Sequence, residues 1–261
     1  MPAVAFSVQR LRNVASSLRE RRTLGGEVDR GFASDWIDNA ASAAYAGAGS
    51  SFVPVWYDQS TNLRHASQAT PGGQPRRVLT GAAETFGPQT RGSARAQTES
   101  AGVPLLSTTP IAAAAFVTGG TDMSATVVYQ IPAGASSNII CWNNTNNDPN
   151  RVVVQEWTDN NLYFDIGAFD STGRHSIPSP TRGAPHVVSV YRSGGTMGIR
   201  VDSGAWNEVT GRTAGVSGTW PVTLFDLSVN DGLTSEAVAW NSFIGLSSLN
   251  AWHNSRVTAY L

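Results

Sequence analysis

The second half of the chain is written in short apolar runs separated by turn residues, and that rhythm leaves few folds open. Ala125-Thr126-Val127-Val128-Tyr129-Gln130-Ile131 alternates and stops at Pro132. Ser137–Trp142 follows, then an asparagine-rich loop from Asn143 to Asn150, then Arg151–Trp157, an Asp159-Asn160-Asn161 turn and Leu162–Ala168. After a proline-rich stretch, Pro185–Arg192 closes on Ser193-Gly194-Gly195 and Met197–Val201 returns to Asp202-Ser203-Gly204. Thr223–Val229 and Glu236–Ile244 complete the series. β-Branched and aromatic runs bounded by Gly, Pro, Asn and Asp predict strands, and many short strands in succession predict a sandwich or barrel. The last stretch, Leu246–Leu261, has helical spacing instead, with Leu249, Trp252, Val257 and Tyr260 roughly on one side.

The first half is less regular. Val4, Val8, Leu11 and Val14 recur at helical spacing, which predicts a short helix over 4–14. Residues 17–22 read as a charged edge strand with Gly25-Gly26 as its turn, and 38–46 as a helix capped by Asp38 and ended by Gly47-Ala48-Gly49. A strand over Val53–Asp58 then breaks at Asp58-Gln59-Ser60-Thr61-Asn62, side chains that can hydrogen-bond their own backbone and hold a turn. Tyr57, Asp58, Gln59 and Ser60 are accordingly expected to be a structural knot that satisfies backbone groups in a loop without a ladder of its own. Residues 80–103 are polar and read as a loop or arm in contact with something else.

The 261 residues suit one large all-β domain spanning 1–261. Only 14% are charged and the net charge is −1, so nothing marks a nucleic-acid surface. The single Cys141 excludes an internal disulfide and a cysteine-based zinc site. The start shows no apolar signal-peptide core and no run approaches membrane-spanning length, so synthesis in a reducing cytoplasm and no membrane insertion are expected.

Tyr57-Asp58-Gln59-Ser60, Asn62, Gln68-Ala69 and Pro71-Gly72-Gly73 carry a resemblance, as do the upstream Ala5–Arg12, Leu18–Arg22 and Gly31-Phe32. Over roughly the first 80 residues the chain resembles the catalytic domain of fungal-type α-L-arabinofuranosidase B, a segment that recurs in bacteriophage structural proteins with a concanavalin A-like domain. Thr61 and Leu63 replace glycines of that pattern, and the disulfides of the secreted fungal enzymes are missing. From 104 to 261 the chain is similar to laminin G-like and pentraxin-like jelly rolls, through His186–Tyr191, Gly195 and Ile199-Arg200-Val201-Asp202-Ser203-Gly204. The fold implied is a concanavalin A-like jelly-roll β-sandwich with a few short peripheral helices.

A retaining glycosidase needs two carboxyl groups about 5–5.5 Å apart. In the arabinofuranosidase family a Glu ends a Phe-Asp-Tyr-Gly-Asn-Ala-Glu segment, and the resemblance implies Asp170, at the end of Phe164-Asp165-Ile166-Gly167-Ala168-Phe169-Asp170, in the nucleophile position. Asp226 and Asp231 are the nearby late candidates for a partner; the plainer reading is a strand ending in a polar turn. Aromatic faces stack on sugars, so Trp142, Trp157, Trp206 and Trp220, near predicted strand ends, are candidates to line a glycan site with Asp165, set against the alternative that they fill the core. The Asn143–Asn150 loop with Asp148 has oxygens for Ca²⁺, though one carboxylate is thin for such a site and no other cofactor is implied. His65, His175, His186 and His253 show no zinc spacing.

The expectation is therefore a non-enzymatic bacteriophage virion protein: a capsid decoration, head-fibre or tail-accessory subunit on the virion surface. Its expected partners are other virion proteins and further copies of itself, with possible contact to glycans. The alternatives are an arabinofuranosidase-like hydrolase and a glycan-binding module without catalysis.

Overall fold

The computed structural model describes residues 1–7, 9–11, 14–23, 25–86, 90–95, 106–119, 121–133, 135, 137–143, 150–226 and 232–261. The principal strands of the first half are Pro2–Ser7 (β1), Leu18–Arg22 (β2), Glu27–Arg30 (β3), Ser51–Trp56 (β4), Arg76–Leu79 (β5) and Leu106–Ser107 (β6). Those of the second half are Met123–Gln130 (β7), Ser137–Trp142 (β8), Arg151–Glu156 (β9), Asn161–Gly167 (β10), Arg174–Pro178 (β11), Pro185–Ser193 (β12), Thr196–Val201 (β13), Asn207–Val209 (β14), Val222–Asp226 (β15) and Leu233–Trp240 (β16). The helices are Asn39–Ala46 (α1), Ala113–Phe116 (α2) and Leu246–Tyr260 (α3).

Every pairing among these strands is antiparallel, and they form two layers. One layer runs β1-β16-β7-β12-β13-β14. The other runs β11-β10-β9-β8-β15-β6, then through Ala66–Ser67 to β4-β2-β3. β5 pairs with β4 and, through Ala94–Arg95, meets β16, so the two layers share one hydrogen-bonded edge. Side chains alternate along each strand, and one set from each layer meets in a common core. Val127, Val188 and Ala237, opposite one another in the first layer, pack there with Val152, Val154, Phe164 and Leu224 of the second.

The strand order of the second half follows its turn chemistry. Gly194 and Gly195, with φ of 55° and 83°, make the β12–β13 turn, and Asp202 at 49° follows β13. α1 begins where Asp38 accepts a hydrogen bond from the Ala41 amide at 2.8 Å and ends at Gly47.

Residues 2–7 are a strand, which corrects the helix expected there. Ala3 to Ser7 are all buried, Val4 and Phe6 in the main core and Ala5 in a smaller cluster with Tyr191, Val238, Trp240 and Leu249. A strand covered on both faces is apolar throughout, and its period no longer separates it from a helix. β2 is not an edge, since it lies between β3 and β4. The described part of 80–103 contains short paired strands, such as Thr85–Phe86 with Arg91–Gly92, in place of a free arm. α3 buries Leu249 and Tyr260, as expected, together with His253 and Arg256, while Trp252 and Val257 are partly buried against the cores.

Candidate functional site

β9, β10 and β11 turn one set of side chains into the core and the other outward. Val152, Val154, Phe164 and Ile166 go inward. Cross-strand pairing sets Val153 opposite Asp165 and Gln155 opposite Tyr163, and Arg174 opposite Asp165. Arg151, Gln155, Tyr163, Asp165 and Arg174 therefore share the outer face. Such a row of polar residues is tolerated inside a strand only where the charges find partners.

They do. The Asp165 carboxylate is fully buried and accepts three hydrogen bonds at 2.7 Å, from Arg151 Nη2 and from Nε and Nη2 of Arg174. The Phe169 ring lies against both guanidiniums, 4.0 Å from that of Arg151 and 5.6 Å from that of Arg174, and the Tyr163 ring is 4.3 Å from Arg174. Phe169 is delivered by a tight reversal after β10. Gly167 has a φ of +84°, and a Cβ on Gly173 would lie 2.5 Å from the Ile166 carbonyl oxygen and the Ala168 nitrogen, so only glycine lets the chain close.

Together these residues enclose a cavity of about 500 Å³ walled by Arg151, Gln155, Trp157, Asp159, Tyr163, Phe169 and Arg174. Trp157 is 41% exposed. Asp159 accepts hydrogen bonds from the Tyr163 hydroxyl and from the Asn161 amide, the latter at 3.1 Å. Partial burial alone would raise its pKa, but those bonds outweigh it and hold the carboxyl below its usual range. Burial, and then the neighbouring Asp159, push Tyr163 upward. Burial tends to lower Arg174, yet its bonds to Asp165 prevail and raise it. The pocket thus presents permanently charged guanidiniums, an ionised carboxylate and three aromatic rings at neutral pH.

The residues singled out from sequence are dispersed. Trp157 lines this pocket, and Asp165 is buried behind its two arginines. Trp142 is fully buried, stacked on Phe116 at 6.1 Å with its indole N–H donating to the Ile111 carbonyl at 3.0 Å, so no ligand reaches it. Trp206 is on the other layer, edge-on to Tyr191 at 5.1 Å, and donates to Asn250 of α3 at 2.8 Å. Trp220 packs against the main core. Asp170 stands in the exposed turn after β10, where it accepts from the amide and hydroxyl of Thr172 at 2.8 and 2.6 Å. Asp226 closes β15, and Asp231 lies outside the described residues, as does Asp148 with the rest of 144–149 in the loop considered for Ca²⁺. Among the described residues, no three His, Cys, Asp or Glu side chains come together as metal ligands.

Asp58 accepts from the amides of Ala5, Ser60 and Arg64 at 2.8, 2.8 and 2.7 Å and from the Ser60 hydroxyl at 2.7 Å. Gln59 accepts from the Leu11 amide at 2.8 Å and donates to the Ser7 and Gln9 carbonyls, while Tyr57 donates to Asp29 at 2.6 Å. A second cavity of about 410 Å³ lies beside this knot, walled largely by apolar groups that include Leu11, Trp240, Ile244 and Trp252.

The arginines, Gln155, Tyr163 and Phe169 were not singled out from the sequence. Their signal is a polar residue at alternate positions in two predicted strands, Arg151–Trp157 and Leu162–Ala168, visible only once these are known to be neighbours of each other and of the strand Arg174–Pro178, which in sequence reads as part of a proline-rich loop.

No protein-family model matches this sequence, and no curated protein does. Solved structures do match. A GH54 α-L-arabinofuranosidase soaked with a cyclic sulfate inhibitor aligns over 99% of this chain and 63% of its own, with a TM-score of 0.68 and 15% identity. A mutant GH54 α-L-arabinofuranosidase soaked with 4-nitrophenyl α-L-arabinofuranoside gives a TM-score of 0.70 at 14% identity, with the same coverage. An arabinofuranosidase complexed with arabinofuranosyl-α-1,2-xylobiose gives 0.65 at 14% identity, again over 99% and 63%. The chain thus spans less than two thirds of the length of these proteins. The expectation of a protein with no reaction to run does not survive this comparison, because the fold that aligns with almost all of it belongs, in those proteins, to an arabinofuranosidase. The support does not reach the expected virion role. At this level of identity the likeness is one of architecture: the chain has an all-β sandwich of the kind found in sugar-handling proteins.

Proposed function

We propose that this chain is a carbohydrate-active β-sandwich that holds a glycan in the pocket between Arg151, Trp157 and Arg174. Sugars are recognised by aromatic faces that stack on their C–H surfaces and by rigid, planar hydrogen-bonding groups that match their oxygens. The observation that carries the reading is the half-exposed Trp157 on the same wall as Tyr163, Phe169, Gln155, Asp159 and two arginines. A volume of about 500 Å³ falls in the range of small-ligand sites and leaves room for one or two sugar units. Binding on a glycan array that is lost in Trp157→Ala, with an unchanged melting temperature, is the expected result. A blank array, or binding indifferent to that substitution, overturns the reading.

A second reading, hydrolysis of an arabinofuranoside, is favoured by the alignment of almost the whole chain with arabinofuranosidases. Its test is release of nitrophenol from 4-nitrophenyl α-L-arabinofuranoside. Turnover lost in Asp159→Asn and kept in Asp170→Asn places the chemistry in the pocket; turnover lost in Asp170→Asn places it at the exposed turn. Display on a virion, in an array of copies that multiplies weak single-site binding, is a separate proposal that rests on the Tyr57–Ser60 resemblance. Antibody labelling of purified particles tests it.

A further inference from the structure

Resting on the glycan reading above, we infer that the pocket is built for an acidic sugar, whose carboxylate lies on the guanidiniums of Arg151 and Arg174. The inference comes from how charge is distributed across the wall. Two guanidiniums line the cavity, whereas the carboxylate that pairs with both of them, Asp165, is buried behind them and is not part of the lining. The other acid, Asp159, is on the wall but is exposed and already bonded to Tyr163 and Asn161. The two carboxylates balance the two guanidiniums in number, but Asp165 lies behind them, so the surface that a ligand meets at this point is guanidinium.

The donors are also incompletely used. Arg151 is 7% exposed and gives one hydrogen bond to Asp165, and its Nε is buried with no hydrogen-bond partner among the described residues. A ligand does not reach that sealed atom; the donor of Arg151 left for one is Nη1, which is neither bonded to Asp165 nor sealed. Arg174 spends Nε and Nη2 on Asp165, which leaves Nη1. Phe169 and Tyr163 cover the flat faces of the guanidiniums, so what remains for a ligand is their in-plane N–H edges. In-plane edges of two fixed forks suit a planar two-oxygen acceptor, and a carboxylate has that shape. Trp157, on the same wall, supplies the face for the sugar ring.

The test is calorimetric titration of the full chain with three oligosaccharides of equal length: a neutral one, its uronic-acid counterpart and a sulfated counterpart. The uronate is expected to bind roughly tenfold or more tightly than the neutral sugar, as charge-assisted hydrogen bonds imply, with the preference shrinking as salt is added. Arg174→Gln is expected to bring uronate and neutral sugar to within about twofold of each other. Because that change weakens the hold on buried Asp165, the exposed Asp159→Asn serves as the second variant; it removes the opposing charge and is expected to widen the preference for uronate over neutral sugar several-fold. Equal binding of neutral sugar and uronate, insensitive to both variants, overturns the acidic-sugar inference and leaves the glycan reading standing. Preference for the sulfated sugar over the uronate overturns the carboxylate assignment. Absence of binding to all three overturns the glycan reading itself.

Discussion

Two aspartates show how a single residue type serves two ends. Asp58 is nearly fully buried and saturates the amides of Ala5, Ser60 and Arg64, thereby tying β1 to the loop after β4. Asp58→Ala is expected to cost about 2–4 kcal/mol, since it orphans several buried donors, and chemical denaturation measures it. Denaturation midpoints equal to those of the parent contradict this role. That Asp58-Gln59-Ser60 should bond backbone is legible in the residue types, because short polar side chains reach only neighbouring groups. That one donor is the amide of Ala5, 53 positions earlier, is not, because nothing local encodes it. Asp165 is the opposite case. Its place in an apolar run hides that it is held by two arginines on adjacent strands. Trp157, by contrast, carries little of the fold: its replacement by Ala is expected to change stability by less than about 0.5 kcal/mol, as for exposed positions generally.

At the scale of elements, what was readable is what local chemistry decides. α1 is framed by its own cap, and Asp38→Ala is expected to cost roughly 1 kcal/mol in denaturant melts. β1 was not readable, because its apolar run is explained only by the layers that cover it on both sides. α3 was readable as a helix and in its apolar side, but not in the whole of its buried stripe, which also includes His253 and Arg256, polar residues that a hydrophobicity pattern assigns to solvent. His253 docks α3 on β12 and the turn after β13, its ring nitrogens meeting the Ser189 hydroxyl at 2.8 Å and the Asp202 carbonyl. Burial lowers its pKa from the ordinary 6.5, against the pull of Asp202. The folded state then binds the proton less readily than the unfolded chain, so the stability it contributes is present above about 6.5 and is lost as pH falls through the folded value. The denaturation midpoint is expected to drop between about pH 7 and pH 5, with a shallower drop in His253→Gln. His175 acts in the same direction and His186, raised because Asp202 outweighs its burial, in the other, so the difference between variant and parent is the informative quantity.

The whole molecule is two antiparallel layers with different outer faces. The outer side of the first is closed by α3, through Thr126, Ser189 and Val238 beneath Leu249 and His253. The outer side of the second carries, on β9, β10 and β11, the arginine and aromatic pocket. The strand rhythm of the second half discloses this all-β architecture, since each turn is encoded by its own residues. It does not disclose which strands become neighbours, and the pocket exists only through that neighbourhood.

The central claim is that the glycan sits over β9, β10 and β11. Two-dimensional NMR of the labelled chain during titration with an oligosaccharide tests it most directly. The account predicts shifts in the Trp157 indole N–H, the Arg151 and Arg174 Nε–H groups and the backbone amides of Gln155 and Tyr163. Shifts confined to the Trp240 and Trp252 cavity on the other layer, or no shifts at saturating sugar, would contradict it.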